Sequence, residues 1–159
     1  MGKRREGREL AVQFLCQHEI NAQELEAGLA LFWPLFTGPF RVSAPVRAFA
    51  ERLIRGVIAE RTQLDEQIQR HADNWDLHRI AMVDRNILRL AIYEMFHCRE
   101  IPPVVSIDEA VEVAKKFSTR DSGKFVNGIL DRIKGELDRP ARTAAEVEGG
   151  QLPDGAPGR

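Results

Sequence analysis

Asp84-Arg85-Asn86-Ile87-Leu88-Arg89-Leu90-Ala91-Ile92-Tyr93-Glu94-Met95 is the stretch that decides the class of fold. Its apolar residues recur at helical period over a wide arc, taking in Ile80, Val83, Ile87, Leu88, Leu90, Ala91, Ile92 and Met95. A helix apolar over so much of its circumference is one that other helices surround, so residues 80–97 are expected to run through the middle of the molecule. Glu94 projects into the same arc. An unpaired buried carboxylate is costly, so Glu94 must find a donor or stay near the rim. The narrow polar side carries Arg85 and Arg89, one turn apart.

Working outward, every other patterned segment also repeats at helical period, and no stretch alternates as a strand. A first helix is expected over residues 4–21, with Leu10, Ala11, Phe14, Leu15 and His18 on one face. Beside that face runs a second apolar stripe, Val12, Cys16 and Ile20, spaced i, i+4, i+8. A short helix follows over about 23–36, bounded near Pro34, then a loop and a helix start at Ser43-Ala44-Pro45, where proline presets the first turn. Val46, Phe49, Leu53, Val57 and Ile58 give the third helix its buried side; Leu64, Ile68, Ala72 and Trp75 give the fourth its own.

After the long central helix, Ile101-Pro102-Pro103-Val104-Val105-Ser106-Ile107-Asp108-Glu109-Ala110 reads as a proline-set turn feeding a capping box, Ser106 with Glu109, that starts helix six. Ala110, Val111, Ala114 and Phe117 then point inward. In Ser122-Gly123-Lys124-Phe125-Val126-Asn127-Gly128-Ile129-Leu130, Asp121 or Ser122 caps helix seven, whose buried line is Val126, Ile129, Leu130, Ile133 and Leu137. Gly128 in mid-helix points to close approach of a neighbour. Beyond residue 138 large apolar residues almost vanish and Pro and Gly accumulate, so 139–159 is expected to be a disordered tail behind a single domain of residues 1–138.

The 159 residues are 43% hydrophobic and 30% charged, enough for one core without disulfide staples. With a net charge of -1 no global field draws the chain onto polyanions, so any nucleic-acid affinity comes from a local patch and falls with salt. The two cysteines, Cys16 and Cys98, lie in helical patterns and fit a reducing compartment. No apolar run reaches membrane-span length and the start lacks a signal-peptide stretch, so a soluble cytoplasmic protein is expected. The pairs Cys16/His18, His71/His78 and His97/Cys98 match no structural zinc spacing, and there is neither a phosphate loop nor a nucleophile–base arrangement. No enzyme activity, cofactor or metal is expected.

The three quoted runs, in this order and at this spacing, resemble the NusB family of transcription antitermination factors, over about residues 4–133. The resemblance implies an all-α fold of about seven helices in two packed sub-bundles. It also implies binding of boxA, a short single-stranded element in nascent ribosomal RNA, together with NusE, which is also a small-subunit ribosomal protein. The pair then acts within the RNA polymerase antitermination complex to promote read-through of terminators. The amino-terminal domain of ribosomal-RNA cytosine methyltransferases shares the fold, though there a large cofactor-binding domain follows, which this chain is not expected to carry. The alternative reading is therefore a protein or RNA interaction module without boxA specificity.

In the family an arginine-rich amino terminus contacts RNA, which here falls on Lys3, Arg4, Arg5 and Arg8. Guanidinium forks suit phosphates and base edges, although the same run also reads as a solvated helix start. Phe125, beside Lys124 at the first turn of helix seven, is placed to stack an unpaired base, with the core as its other reading. Arg89, and less so Arg85, extends the basic track or forms surface salt bridges. Asp121 either limits RNA affinity by repulsion or only caps the helix. For a protein partner the candidates are Val12, Cys16 and Ile20, flanked by Asp84 and Leu88, unless that stripe packs on helix two. Where many relatives carry Tyr this chain has Cys16, which removes an aromatic anchor. Two unsatisfied stripes also permit a homodimer of the free protein.

Overall fold

A computed structural model describes residues 2–73 and 76–149, with side chains as far as residue 137. Among the described residues there are seven α-helices and no strand: α1 (Lys3–Ile20), α2 (Leu25–Phe32), α3 (Ala44–Ala59), α4 (Arg61–His71), α5 (Met82–His97), α6 (Pro103–Phe117) and α7 (Arg120–Gly149). The backbone of 139–149, expected to belong to the tail, continues α7; residues 150–159 and Trp75 lie outside the described residues.

Local chemistry explains most of the boundaries. The carboxylate of Glu24 accepts hydrogen bonds from the backbone N–H of Glu26 and Ala27 and so starts α2. Pro34 sits in the single 3-10 turn Trp33–Leu35 that ends it, and Pro45 in the first turn of α3. Helix α6 begins at Pro103, three residues before the expected capping box, because a proline at the first turn gives up no needed donor. Ser106 and Glu109 are therefore interior to the helix, and both turn to other helices. Helix α7 is capped by neither Asp121 nor Ser122: the Thr119 hydroxyl accepts the backbone N–H of Ser122 at 3.0 Å.

The helices form two sub-bundles, α1–α3 and α4–α7. The closest associations are α1 with α3 and α6 with α7, while α5 packs against α1, α3, α4, α6 and α7. The wide apolar arc of α5 is the cause: Ile87, Leu88, Leu90, Ala91 and Ile92 are all buried, and so are the polar Asn86, Arg89 and Glu94. Leu53 and Ile54 from α3, Ile68 from α4 and Leu130 and Ile133 from α7 close around it.

Close approach of a helix is met at Gly56 rather than Gly128. Nothing lies within 4 Å of where a Cβ on Gly128 would stand, whereas one on Gly56 would stand 2.0 Å from Cζ of Tyr93. The ring of Tyr93 occupies the space that glycine leaves on α3, and it stacks on His97 with centroids 4.8 Å apart. Alanine at 56 would displace the ring, outweighing the gain in helix propensity of about 1 kcal/mol.

Candidate nucleic-acid interface and partner groove

The basic start of α1 divides by helical position. Lys3 and Arg4 are exposed at the end of the helix, while Arg8, a turn further on, is driven into the space between α5 and α6. There its Nε and Nη2 each donate to a carboxylate oxygen of Glu94 at 2.8 Å, a two-pronged pairing with only 4% and 0% of the two side chains exposed. Ser106 Oγ donates to the same carboxylate at 2.8 Å. The donor that Glu94 requires is thus Arg8, and Arg8 is corrected from an RNA contact to a buried counter-ion. Arg5 is half-buried and donates to both oxygens of Glu109, at 2.7 and 2.9 Å; those hydrogen bonds hold the Glu109 carboxyl below its ordinary range. Arg4 lies over the ring of Phe49, 4.7 Å from its centroid, and 3.6 Å from Glu100. The amino-terminal cations left facing solvent are Lys3 and Arg4, with Arg5 at the edge.

Arg89 also belongs inside. It is 3% exposed, donating to Asp65 of α4 at 2.6 and 3.2 Å, to Glu19 of α1 at 3.2 Å and to Asn86 at 3.1 Å. Arg85 donates to Glu19 and, at 2.6 Å, to the carbonyl of Ile80. The polar side of α5 is narrow because acidic residues from two neighbouring helices cover it, so neither arginine extends a basic track. Burial works against the ionised Glu19, but hydrogen bonds from Arg85 and Asn86 outweigh it and keep its carboxyl low.

At the other end of the candidate surface, Lys124 is exposed and Phe125 is half-buried, packed on one side against the core. The ring is neither sealed in nor standing free, which is the disposition a stacking platform needs. Asp121 is exposed in the first turn of α7.

The second stripe of α1 grades from inside to outside. Val12 is buried, Cys16 half-buried and Ile20 74% exposed. All three line a mainly apolar groove of about 470 Å³ whose other walls are Phe32, Leu35, Phe36, Val83 and Phe117, with Gln13 and Gln17 of α1 beside them. Helix α2 covers only part of the stripe, so the open length is not core. Burial raises the Cys16 thiol, which receives a hydrogen bond from Asn86 Nδ2 at 3.5 Å. The flank of the groove is corrected: Leu88 is fully buried, and Asp84 is buried with its Oδ2 accepting from Ser122 Oγ at 3.0 Å. Burial pushes the Asp84 carboxyl above its ordinary range, and its Oδ1 has no hydrogen-bond partner among the described residues. The aromatic and aliphatic walls at Leu35, Phe36, Val83 and Phe117 were not singled out as a groove by sequence. The signal for Leu35 and Phe36 was their place among the large apolar residues around Pro34, while Val83 and Phe117 read as inward-facing on their helices.

Among the described residues no three His, Cys, Asp or Glu side chains are grouped to hold a metal, and no helix is long and apolar enough to cross a membrane.

Comparison with known proteins agrees with this architecture. The profile of the NusB family matches residues 5–134. The transcription antitermination protein NusB of Desulforapulum autotrophicum is 44% identical over 134 residues, 84% of this chain and 92% of that one. The protein of the same name from Myxococcus xanthus is 41% identical over 140 residues, 88% of this chain and 100% of that one. Among solved structures, T. maritima NusB superposes with a TM-score of 0.73 at 41% identity, covering 84% of this chain and 91% of that one. A crystal structure of antitermination factors NusB and NusE in complex with double-stranded RNA shares the fold at a TM-score of 0.73 and 22% identity, covering 84% and 96%. On the matched profile and the identity of these relatives over nearly their full length, the chain belongs to the NusB family, whose members are non-enzymatic transcription antitermination factors.

Proposed function

We propose that the protein binds boxA-type single-stranded RNA in nascent ribosomal RNA transcripts together with NusE, and promotes read-through of terminators as part of the RNA polymerase antitermination complex in the cytoplasm. The observation that carries this reading is the open, mainly apolar groove along Val12, Cys16 and Ile20, which the helices of the described residues leave uncovered and which suits a protein partner. The half-buried ring of Phe125 beside Lys124, with Lys3, Arg4 and the rim of Arg5, supplies the RNA-facing groups. Residues 1–138 hold all of these, and a second copy of the chain is the competing occupant of the groove when NusE is absent.

Fluorescence anisotropy with a boxA oligonucleotide and its scrambled counterpart, with and without NusE, tests the reading. Binding to boxA is expected to be the tighter, to strengthen with NusE and to weaken with salt. Phe125→Ala is expected to lose about 1–3 kcal/mol, roughly 5- to 150-fold. Equal affinity for both oligonucleotides would instead favour an interaction module without boxA specificity. Ile20→Asp places a charge in the exposed groove wall and leaves the core alone; it is expected to weaken capture of NusE by about tenfold or more, read by calorimetry. Unchanged capture would remove the groove from the interface.

A further inference from the structure

Between α6 and α7 lies a second groove, of about 390 Å³, lined by Val111, Lys115, Arg120, Gly123, Lys124 and Asn127. Its walls are two helical stripes: Val111 and Lys115 at i, i+4 on α6, and Arg120, Lys124 and Asn127 at i, i+4, i+7 on α7. Gly123 sets their separation, since a Cβ there would lie 3.3 Å from Cγ of Lys115 and 3.5 Å from Cγ1 of Val111. Three cations line the groove and no carboxylate does. Lys115 reaches Glu112 on its own helix at 3.3 Å, an exposed pair of little strength, while Arg120 and Lys124 make no ion pair among the described residues. The contrast with the start of α1 is direct, because there Arg4, Arg5 and Arg8 face Glu100, Glu109 and Glu94.

We infer that this groove is the principal phosphate-binding channel of the protein, holding the backbone of single-stranded RNA that runs on from the base stacked at Phe125. The inference rests on the RNA-binding reading above and deepens it. In a chain of net charge -1, affinity for a polyanion is set by cations that carboxylates do not already neutralise. Among the described residues Arg120 and Lys124 meet that condition, Lys115 is held only by the exposed and weak pair with Glu112, and Lys124 joins the channel to Phe125 by sequence adjacency. Asn127 adds a neutral amide that donates to phosphate or sugar oxygens.

The test is the double variant Lys115→Gln/Arg120→Gln in the full chain, titrated with the boxA oligonucleotide carrying flanking nucleotides on both sides and with a scrambled oligonucleotide of the same length, across a salt series. The expected result is about tenfold weaker binding to both RNAs at low salt, with the boxA-to-scrambled ratio unchanged. The slope of log affinity against log salt is expected to shrink by about 1.4, at roughly 0.7 for each phosphate of a single strand that the variant no longer neutralises. An unaltered slope and affinity, in a preparation whose wild type binds RNA and whose Phe125→Ala variant does not bind as well, would overturn the channel and leave the RNA reading standing. A wild type that binds neither RNA overturns both. Melting curves matching the wild type are expected, since both substituted side chains are exposed.

Discussion

Glu94→Ala is expected to cost about 3–5 kcal/mol of folding stability, measured by urea denaturation followed by circular dichroism. The size of the effect comes from what is left behind. Without Glu94 the Arg8 guanidinium remains enclosed with no counter-ion other than Glu109 at 3.7 Å, and the Ser106 hydroxyl loses its acceptor. Arg8→Ala is expected to cost a similar amount by stranding the carboxylate. The variant Arg8→Met/Glu94→Leu is expected to recover most of the loss, because apolar side chains of like volume remove both desolvation penalties at once. Single variants within about 1 kcal/mol of wild type would show that the pair is solvated. For RNA, the consequence is that Arg8→Ala weakens binding only in proportion to the protein it unfolds.

Arg89→Ala is expected to cost about 3 kcal/mol, the low end of the range for a broken buried pair. Arg89 itself is enclosed, but Asp65 and Glu19 keep 22% and 19% of their side chains exposed and regain some hydration when the guanidinium is gone. The loss falls on the joint between α1, α4 and α5. Arg89→Lys is expected to restore little, since an ammonium cannot reproduce the planar fork that serves Asp65, Glu19 and Asn86 together. Full RNA affinity in the folded fraction of Arg89→Ala, by anisotropy under native conditions, is the accompanying expectation; a selective loss would return Arg89 to the RNA surface.

The two arginines also show how far sequence reaches in this molecule. Periodicity reveals that α5 is surrounded, and simple electrostatics reveals that Glu94 needs a donor. Neither says which cation supplies it, because Arg8 lies 86 positions away and helical patterns carry no information on tertiary pairing. The same gap explains Arg89: a helical projection cannot distinguish a side facing water from one facing the acidic residues of α1 and α4. Ser106 and Glu109 have the spacing of a capping box, yet both side chains are taken by other helices, Ser106 by Glu94 and Glu109 by Arg5. That Val12, Cys16 and Ile20 are more apolar surface than one buried face uses was legible, but their gradation from buried Val12 to exposed Ile20 was not, because it depends on how the neighbouring helices pack over the stripe. The all-α class was legible from apolar periodicity, while its division into two sub-bundles came only with the family resemblance. The α6–α7 groove was not legible, because its charges come from separate helices and only their packing brings them together.

The tie between Arg8 and Glu94 also bears on the order of events during synthesis. The amino-terminal helix leaves the ribosome early, but the carboxylate that neutralises its eighth residue emerges only near the end of α5, and the wall that shuts out water later still with α6. Until then the guanidinium stays hydrated and the apolar faces of α1 and α3 lack the central helix, with only each other, α2 and α4 to pack against. Locking of the interior is therefore deferred until α6 has been made, and a nascent chain stalled before that point is left with greasy surface for chaperones to hold.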